Sequence, residues 1–378
     1  MCLSWQHSGV QTKRPWPIGE TREVLNDRWK KLLDAPDPKA AFREADRKIH
    51  KSYKDLEGPT KQLAAIAELP TDTPVLPIVR YGYRSFDRQW IIKDARIGDR
   101  MRPELWRAHS GQQIYLTSLL TEVLGEGPAA TVTAEIPDLH YFSGRGGKDA
   151  IPLWRDADAT QANITHGLLD VRRKVYGEEI DPEALFAYAY AVFASPSYTE
   201  RFWDELSIPG PRLPLTKNPA LFRRGAELGR NLIHLHTYGE RFADGRTSER
   251  MAPGKAKLTS AIPGRPNMYP EDFDYDEDSG ALRVGSGEIS PVDPEVFSYS
   301  VSGYDVLRSF LSHRMKESSG RTSSTLDKIR PSQWTRSMTD ELLQLIWVLE
   351  ATLDNEHELN AFLDDVVASE VFTVTELP

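Results

Sequence analysis

Apolar side chains recur every three to four residues from Thr21 onward, placing Val24, Leu25, Trp29, Leu32 and Leu33 on one face and predicting an amphipathic helix. Ala35-Pro-Asp-Pro38 interrupts the period, and a second, charged helix is expected over Lys39 to His50. The proline-rich run Leu69 to Pro77 reads as a connector. Beyond it come short β-type segments, Val75 to Tyr83, Trp90 to Ile92, Gln113 to Leu119, Ala130 to Glu135 and Ile151 to Trp154, divided by Gly and Pro turns. The helical period returns at Asp181, an expected N-cap with Pro182 at the first helical position, and the apolar stretch to Phe193 predicts a core helix. Further helices are expected over Tyr198 to Leu206, Pro219 to His236, Tyr304 to Arg314 and Thr339 to Leu353, with a strand at Leu282 to Val284. The pattern predicts an α+β chain in three parts: a helical N-terminal arm (1–73), a β-rich unit (74–180) and a mainly helical scaffold (181–378).

Composition narrows the class. The 378 residues suffice to bury a sizeable core, and there is neither an apolar run of membrane-spanning length nor a secretory h-region, so the expected location is the cytoplasm. A single cysteine, Cys2, excludes an internal disulfide framework and a cysteine-based zinc site. The net charge of −9 argues against a uniformly nucleic-acid-binding surface. The charge is uneven, however: between Arg80 and Arg107 eight bases face four acids, a local excess of four positive charges. Acids concentrate in Glu271 to Asp278, read as a solvated loop, and in the stretch from Asp340 to Glu376. Such asymmetry fits a one-sided binding face.

Catalytic signatures are missing. The chain has no Asp/Asn-Pro-Pro-Tyr/Phe loop or Gly-rich turn of an adenine methyltransferase, and no Gly-x-x-x-x-Gly-Lys-Ser/Thr phosphate loop; Ser143-Gly-Arg-Gly-Gly-Lys148 has the wrong spacing. Gly285-Ser-Gly287 reads as a hairpin turn rather than a nucleophile elbow. His234 and His236 lie two apart near a helix end, so they do not share a face, and are expected to be core or capping histidines.

Several motifs, in order, resemble the C-terminal specificity region of type ISP restriction-modification enzymes. They are Tyr81-Gly-Tyr-Arg-Ser-Phe-Asp-Arg-Gln-Trp-Ile91, Arg102-Pro-Glu-Leu-Trp106, Pro137-Asp-Leu-His-Tyr-Phe142, Ile151-Pro-Leu-Trp154, the run from Ala187 to Phe202, Pro211-Arg-Leu-Pro214, Leu228 to His236, and Val301-Ser-Gly-Tyr-Asp-Val-Leu-Arg-Ser-Phe-Leu311. Phe310 stands where the family usually has Trp. Trp5 to Arg14 looks like the segment that follows the methyltransferase core, so the chain would begin where catalysis ends, as a split-gene subunit, a truncated product or an excised region.

The resemblance implies a bacterial phage-defence protein without catalysis of its own. It would read double-stranded DNA for an adenine-specific methyltransferase elsewhere, which would carry S-adenosylmethionine; no cofactor is expected in this chain. DNA contacts are expected from Arg84, Arg88, Gln89, Arg96, Arg100, Arg102 and Arg107, and from Arg145 and Lys148 in the glycine-rich turn, with guanidinium forks suited to guanine edges. Tyr83, Phe86, Trp90 and Trp106 are expected in the core, and the Tyr188/Tyr190 helix and Gly303-Tyr304 are expected to shape the fold. Two rival readings remain at this point: a protein-interaction subunit using the acidic surface, and a hydrolase pairing Asp138 with Asp149 or Glu135.

Overall fold

The computed structural model describes residues 3–142, 149–242, 253–317 and 322–378. Helix makes up 37% and strand 17%, in several small sheets beside a helical body, so the chain is α+β as expected. No helix among the described residues is long and apolar enough to cross a membrane.

The alternating stretch after the proline connector forms an antiparallel hairpin, Ile78–Arg84 with Asp87–Ile92. Its turn is tight because Phe86 takes the left-handed conformation (φ 61°), and the Ser85 hydroxyl donates to the carbonyls of Tyr141 and Phe142. Ile18–Gly19 adds a third strand against Asp87–Ile92. A second sheet runs His7–Ser8, Asp149–Pro152, Tyr115–Ser118, Thr131–Thr133. The first twenty residues thus supply edge strands to both sheets, with Val10 and Trp16 fully buried.

Arg22–Leu33 is helical, capped by Thr21. The helix expected over Lys39 to His50 is cut to Pro38–Phe42. Asp37 caps its start, but Arg43 turns left-handed (φ 58°), and the redirected carbonyl accepts from Arg14 Nε at 3.0 Å. A partly buried hydrogen bond between residues 29 positions apart outweighs helix propensity here.

Two helices centre the scaffold. In Pro182–Ala194, capped by Asp181, every residue from Ala184 onward is buried; Pro219–His236 packs against it. Backbones meet at the crossing: a Cβ on Gly229 would lie 1.8 Å from the Ala187 carbonyl oxygen. The C-terminal helix runs Arg336–Ala368, well past the expected Leu353, because Leu359, Phe362, Leu363 and Val366 resume the apolar stripe after an acidic stretch.

The expected acidic loop is partly a strand. Phe273–Asp276 pairs with Ala281–Val284, which turns through Gly285 (φ 55°) into Gly287–Ser290, and Lys257–Ser260 completes the sheet. Alternation explains it: Tyr275 stacks on Phe297 at 4.0 Å, while Asp274 and Asp276 flank Arg283 at 3.4 Å each. Downstream, Ser300–Val301 and Tyr304–Asp305 form a hairpin whose turn residues Ser302 and Gly303 both have positive φ (50° and 77°), the twist-matched two-residue geometry. It sets the direction of the Val306–Arg314 helix.

Candidate nucleic-acid interface

The sequence motifs meet in space through buried polar contacts. Asp138 accepts from Tyr81 Oη and Arg84 Nη1, each at 2.8 Å, and from the His140 amide at 2.9 Å, while Gly82 pairs with Pro137 through the backbone. Burial and the Asp138 charge raise the Tyr81 phenol well above its ordinary range, so it stays a donor. Burial opposes the charge on Arg84, but Asp138 together with the neighbouring Tyr83, Tyr304 and Tyr81 more than offsets it and the guanidinium pKa is raised.

A second joint fastens the hairpin to the helical body. Asp87 accepts from Arg314 at 2.8 and 3.2 Å, with both side chains almost wholly buried. Glu341 lies 3.8 Å from Arg314 and 3.1 Å from Arg80, carrying the chain of charges into the C-terminal helix. Burial alone would raise the Asp87 carboxyl; Arg314 and His313 outweigh it and hold the pKa well below the usual carboxylate range.

Between these joints opens a cleft of about 1790 Å³. Its walls are residues 11–15 with Ile18 and Glu20, the hairpin side chains Tyr83, Arg84 and Gln89, and the exposed side of the Val306–Arg314 helix, with Arg43, Asp327, Lys328 and Arg330 also lining it. Nine lysines and arginines and six carboxylates line it, so the cleft is positive in a chain whose net charge is −9. Most of these cations are engaged. Arg14 binds Asp99 and the carbonyls of Thr12, Ile97 and Arg43; Arg28 binds the carbonyls of Trp16, Ile18 and Ile329. Arg330 pairs with Glu20, Lys13 with Asp46 and Lys316 with Glu271. Arg43, Arg308 and Lys328 are exposed and form no ion pair among the described residues.

Of the residues expected at the DNA, Arg84 and Gln89 line this cleft. Arg88 is turned away from it: neighbours on a strand point to opposite faces, and Arg88 stacks on Tyr238 at 3.5 Å and pairs with Glu240 at 2.9 Å. Arg96 is buried, its guanidinium filled by Asp94 and the Ala64 carbonyl. Arg100 is exposed, and its backbone pairs with Gln11. Arg102 bonds the Ser8 hydroxyl and the Gly9 carbonyl, and Arg107 sits over Pro103 and Glu104. Arg145 and Lys148 lie outside the described residues. Tyr83, Phe86, Trp90 and Trp106 pack internally: Phe86 and Trp106 are buried, Tyr83 sits edge-on to His313, and Trp90 is covered by Arg22 and Arg80.

The carboxylates of the hydrolase reading are spoken for differently. Asp138 holds Tyr81 and Arg84, Asp149 accepts from the Leu120 amide at 3.0 Å, and Glu135 faces Glu240. Burial first, and Glu240 second, push the Glu135 pKa up to about 7. His236 is a core histidine between Tyr190 and Thr352, its pKa lowered by burial to about 3; His234 meets the Arg241 carbonyl past the helix end.

Arg43, Arg308 and Lys328 were not singled out from sequence. For Arg308 a signal existed: with the cap Asp305, Ser309 and Ser312 it forms a polar stripe opposite Val306, Leu307, Phe310 and Leu311.

Comparison with known proteins places the architecture. The fold is similar to a DrdV–DNA complex (TM-score 0.63, 18% identity, covering 95% of this chain and 36% of that one). It is also similar to LlaBIII, an ATP-dependent type ISP restriction-modification enzyme bound to DNA (TM-score 0.63, 15% identity, 98% and 24%). A nuclease-deletion mutant of the type ISP enzyme LlaGI with a DNA substrate mimic shares the fold as well (TM-score 0.57, 16% identity, 94% and 28%). The chain therefore spans about a quarter to a third of the length of these enzymes. No curated protein matches it. The type ISP C-terminal specificity domain family matches residues 2–345, and the chain belongs to that family.

Proposed function

We propose that this chain reads the target sequence in double-stranded DNA for a type ISP-like restriction-modification system, without catalysis of its own. An adenine-N6 methyltransferase outside this chain would modify the site, carrying S-adenosylmethionine. The observation that carries the reading is the cleft: a concave, positive surface in an acidic chain, with the Tyr81–Ile91 motif in its wall and three cations lacking carboxylate partners among the described residues. Phosphates would occupy Arg43 and Lys328, and the hairpin residues Arg84 and Gln89 would face the bases. Family membership and the shared fold with DNA-bound enzymes support the same reading.

The test is selection from randomised duplexes at two salt concentrations, with the chain alone and with its methyltransferase. One recognition sequence should be enriched. If Arg43 and Lys328 each displace a counterion, the chain's log-affinity should fall against log salt with a slope of about −2. Enrichment of no sequence in either form would sink the proposal.

A further inference from the structure

We propose that the Val306–Arg314 helix is a second base-reading element, and that Arg308 recognises a guanine edge from the major groove. The proposal rests on the reading of the cleft as the DNA seat. It adds an element that the sequence assigned to the scaffold.

The helix is held rigidly. Val306, Leu307, Phe310 and Leu311 are buried, Arg314 is locked to Asp87, and the positive-φ hairpin through Ser302 and Gly303 fixes its start. Its opposite stripe, Asp305, Arg308, Ser309 and Ser312, lines the cleft that Arg84 and Gln89 enter from the hairpin wall. A helix with its side chains is about 10–12 Å across, matching the roughly 12 Å width of a major groove, and the nine residues run about 13 Å along it.

Among the described residues most arginines on helix surfaces are held by a carboxylate; besides Arg308 the exposed exception is Arg22, which lies over the Trp90 ring at 4.1 Å and outside the cleft. Arg201, Arg223, Arg224 and Arg230 are each paired to a carboxylate at 2.5 to 3.1 Å. Arg308 forms no ion pair among the described residues, although the chain holds 56 acids against 47 lysines and arginines. Its guanidinium instead rests 4.3 Å from the centroid of Phe297, which is buried and stacked on Tyr275. A flat, immobile seat orients the fork while leaving its N–H groups available.

The neighbouring side chains favour bases over phosphates. Asp305 is exposed at the helix start, where a carboxylate repels phosphate but accepts from an exocyclic cytosine amine. Ser309 and Ser312 are short enough for the helix to sit deep. The Ser312 hydroxyl proton is committed to the Arg308 carbonyl, which leaves its oxygen as an acceptor.

The experiment compares wild type, Arg308→Ala and Arg308→Lys, each as the full chain with its methyltransferase, by selection from randomised duplexes and by affinity for the selected site at two salt concentrations. Arg308 is exposed, so both variants should melt at the wild-type temperature. Arg308→Ala should weaken binding to the selected site about five- to 150-fold and relax the preference at one guanine. Arg308→Lys should keep the wild-type salt slope yet lose that guanine preference, because an ammonium cannot present the fork. Uniform weakening across sequences in the alanine variant, with the guanine preference intact, would overturn base reading. Unchanged binding by the alanine variant would overturn any role for the residue. Failure of the wild type to enrich any sequence would instead bring down the cleft reading on which the proposal rests.

Discussion

Replacing Asp87 by alanine tests whether the hairpin is fastened to the helical body by one buried ion pair. The side chains of Asp87 and Arg314 are 2% and 1% exposed, so water cannot re-solvate the guanidinium once its partner is gone. Arg314 would keep only the Phe310 carbonyl at 3.1 Å, the face of the Phe310 ring and Glu341 at 3.8 Å. Breaking a buried pair from one side costs about 3–5 kcal/mol. Removing both charges, in D87A combined with R314M, should recover most of that loss, since no charge remains to be desolvated. Urea unfolding followed by tryptophan fluorescence at pH 7 measures all three proteins. The pH leg has a definite sign. The folded-state pKa of Asp87 is depressed, so its contribution is fully present above the unfolded carboxyl value of about 3.9 and is lost as pH falls below it. The alanine variant should lack that component of acid lability. A cost below about 1 kcal/mol for D87A, or a double mutant no more stable than D87A alone, would refute the reasoning.

Two further perturbations follow from burial. Glu135→Gln should stabilise the protein at pH 8 by at most about 3 kcal/mol and leave it unchanged near pH 4: the wild-type carboxyl, raised to about 7, must ionise inside the fold, so stability falls as pH rises from about 4.5 to 7, which unfolding curves across that range would show. Gly229→Ala should cost about 1–3 kcal/mol or more because its Cβ meets the Ala187 carbonyl oxygen at 1.8 Å, whereas Gly111→Ala, with nothing within 4 Å, should stay within about 0.5 kcal/mol in the same denaturation assay.

What the sequence determined by itself is what neighbours along the chain decide. The caps Asp181 and Asn218, each followed by proline, start helices where expected, and the strand positions around Val79, Leu116 and Val132 follow from β-type composition between Gly and Pro turns. The ordered motifs pointed to the family that the family match then showed. Local rules failed where distant partners intervened, as at Arg43, whose carbonyl is claimed by Arg14, and at Phe273–Asp276, whose apolar side is covered by Phe297. The site was only partly legible. Charge counted along residues 80–107 does not mark a face, because alternate strand residues diverge and Arg80, Arg88 and Arg96 are consumed by Glu341, Glu240 and Asp94. Only the tertiary structure could bring Arg43, Arg84, Arg308 and Lys328 to one cleft and set Asp87 against Arg314, 227 positions later. Electrostatic and packing energies depend on distance and burial in space, which separation along the chain does not encode.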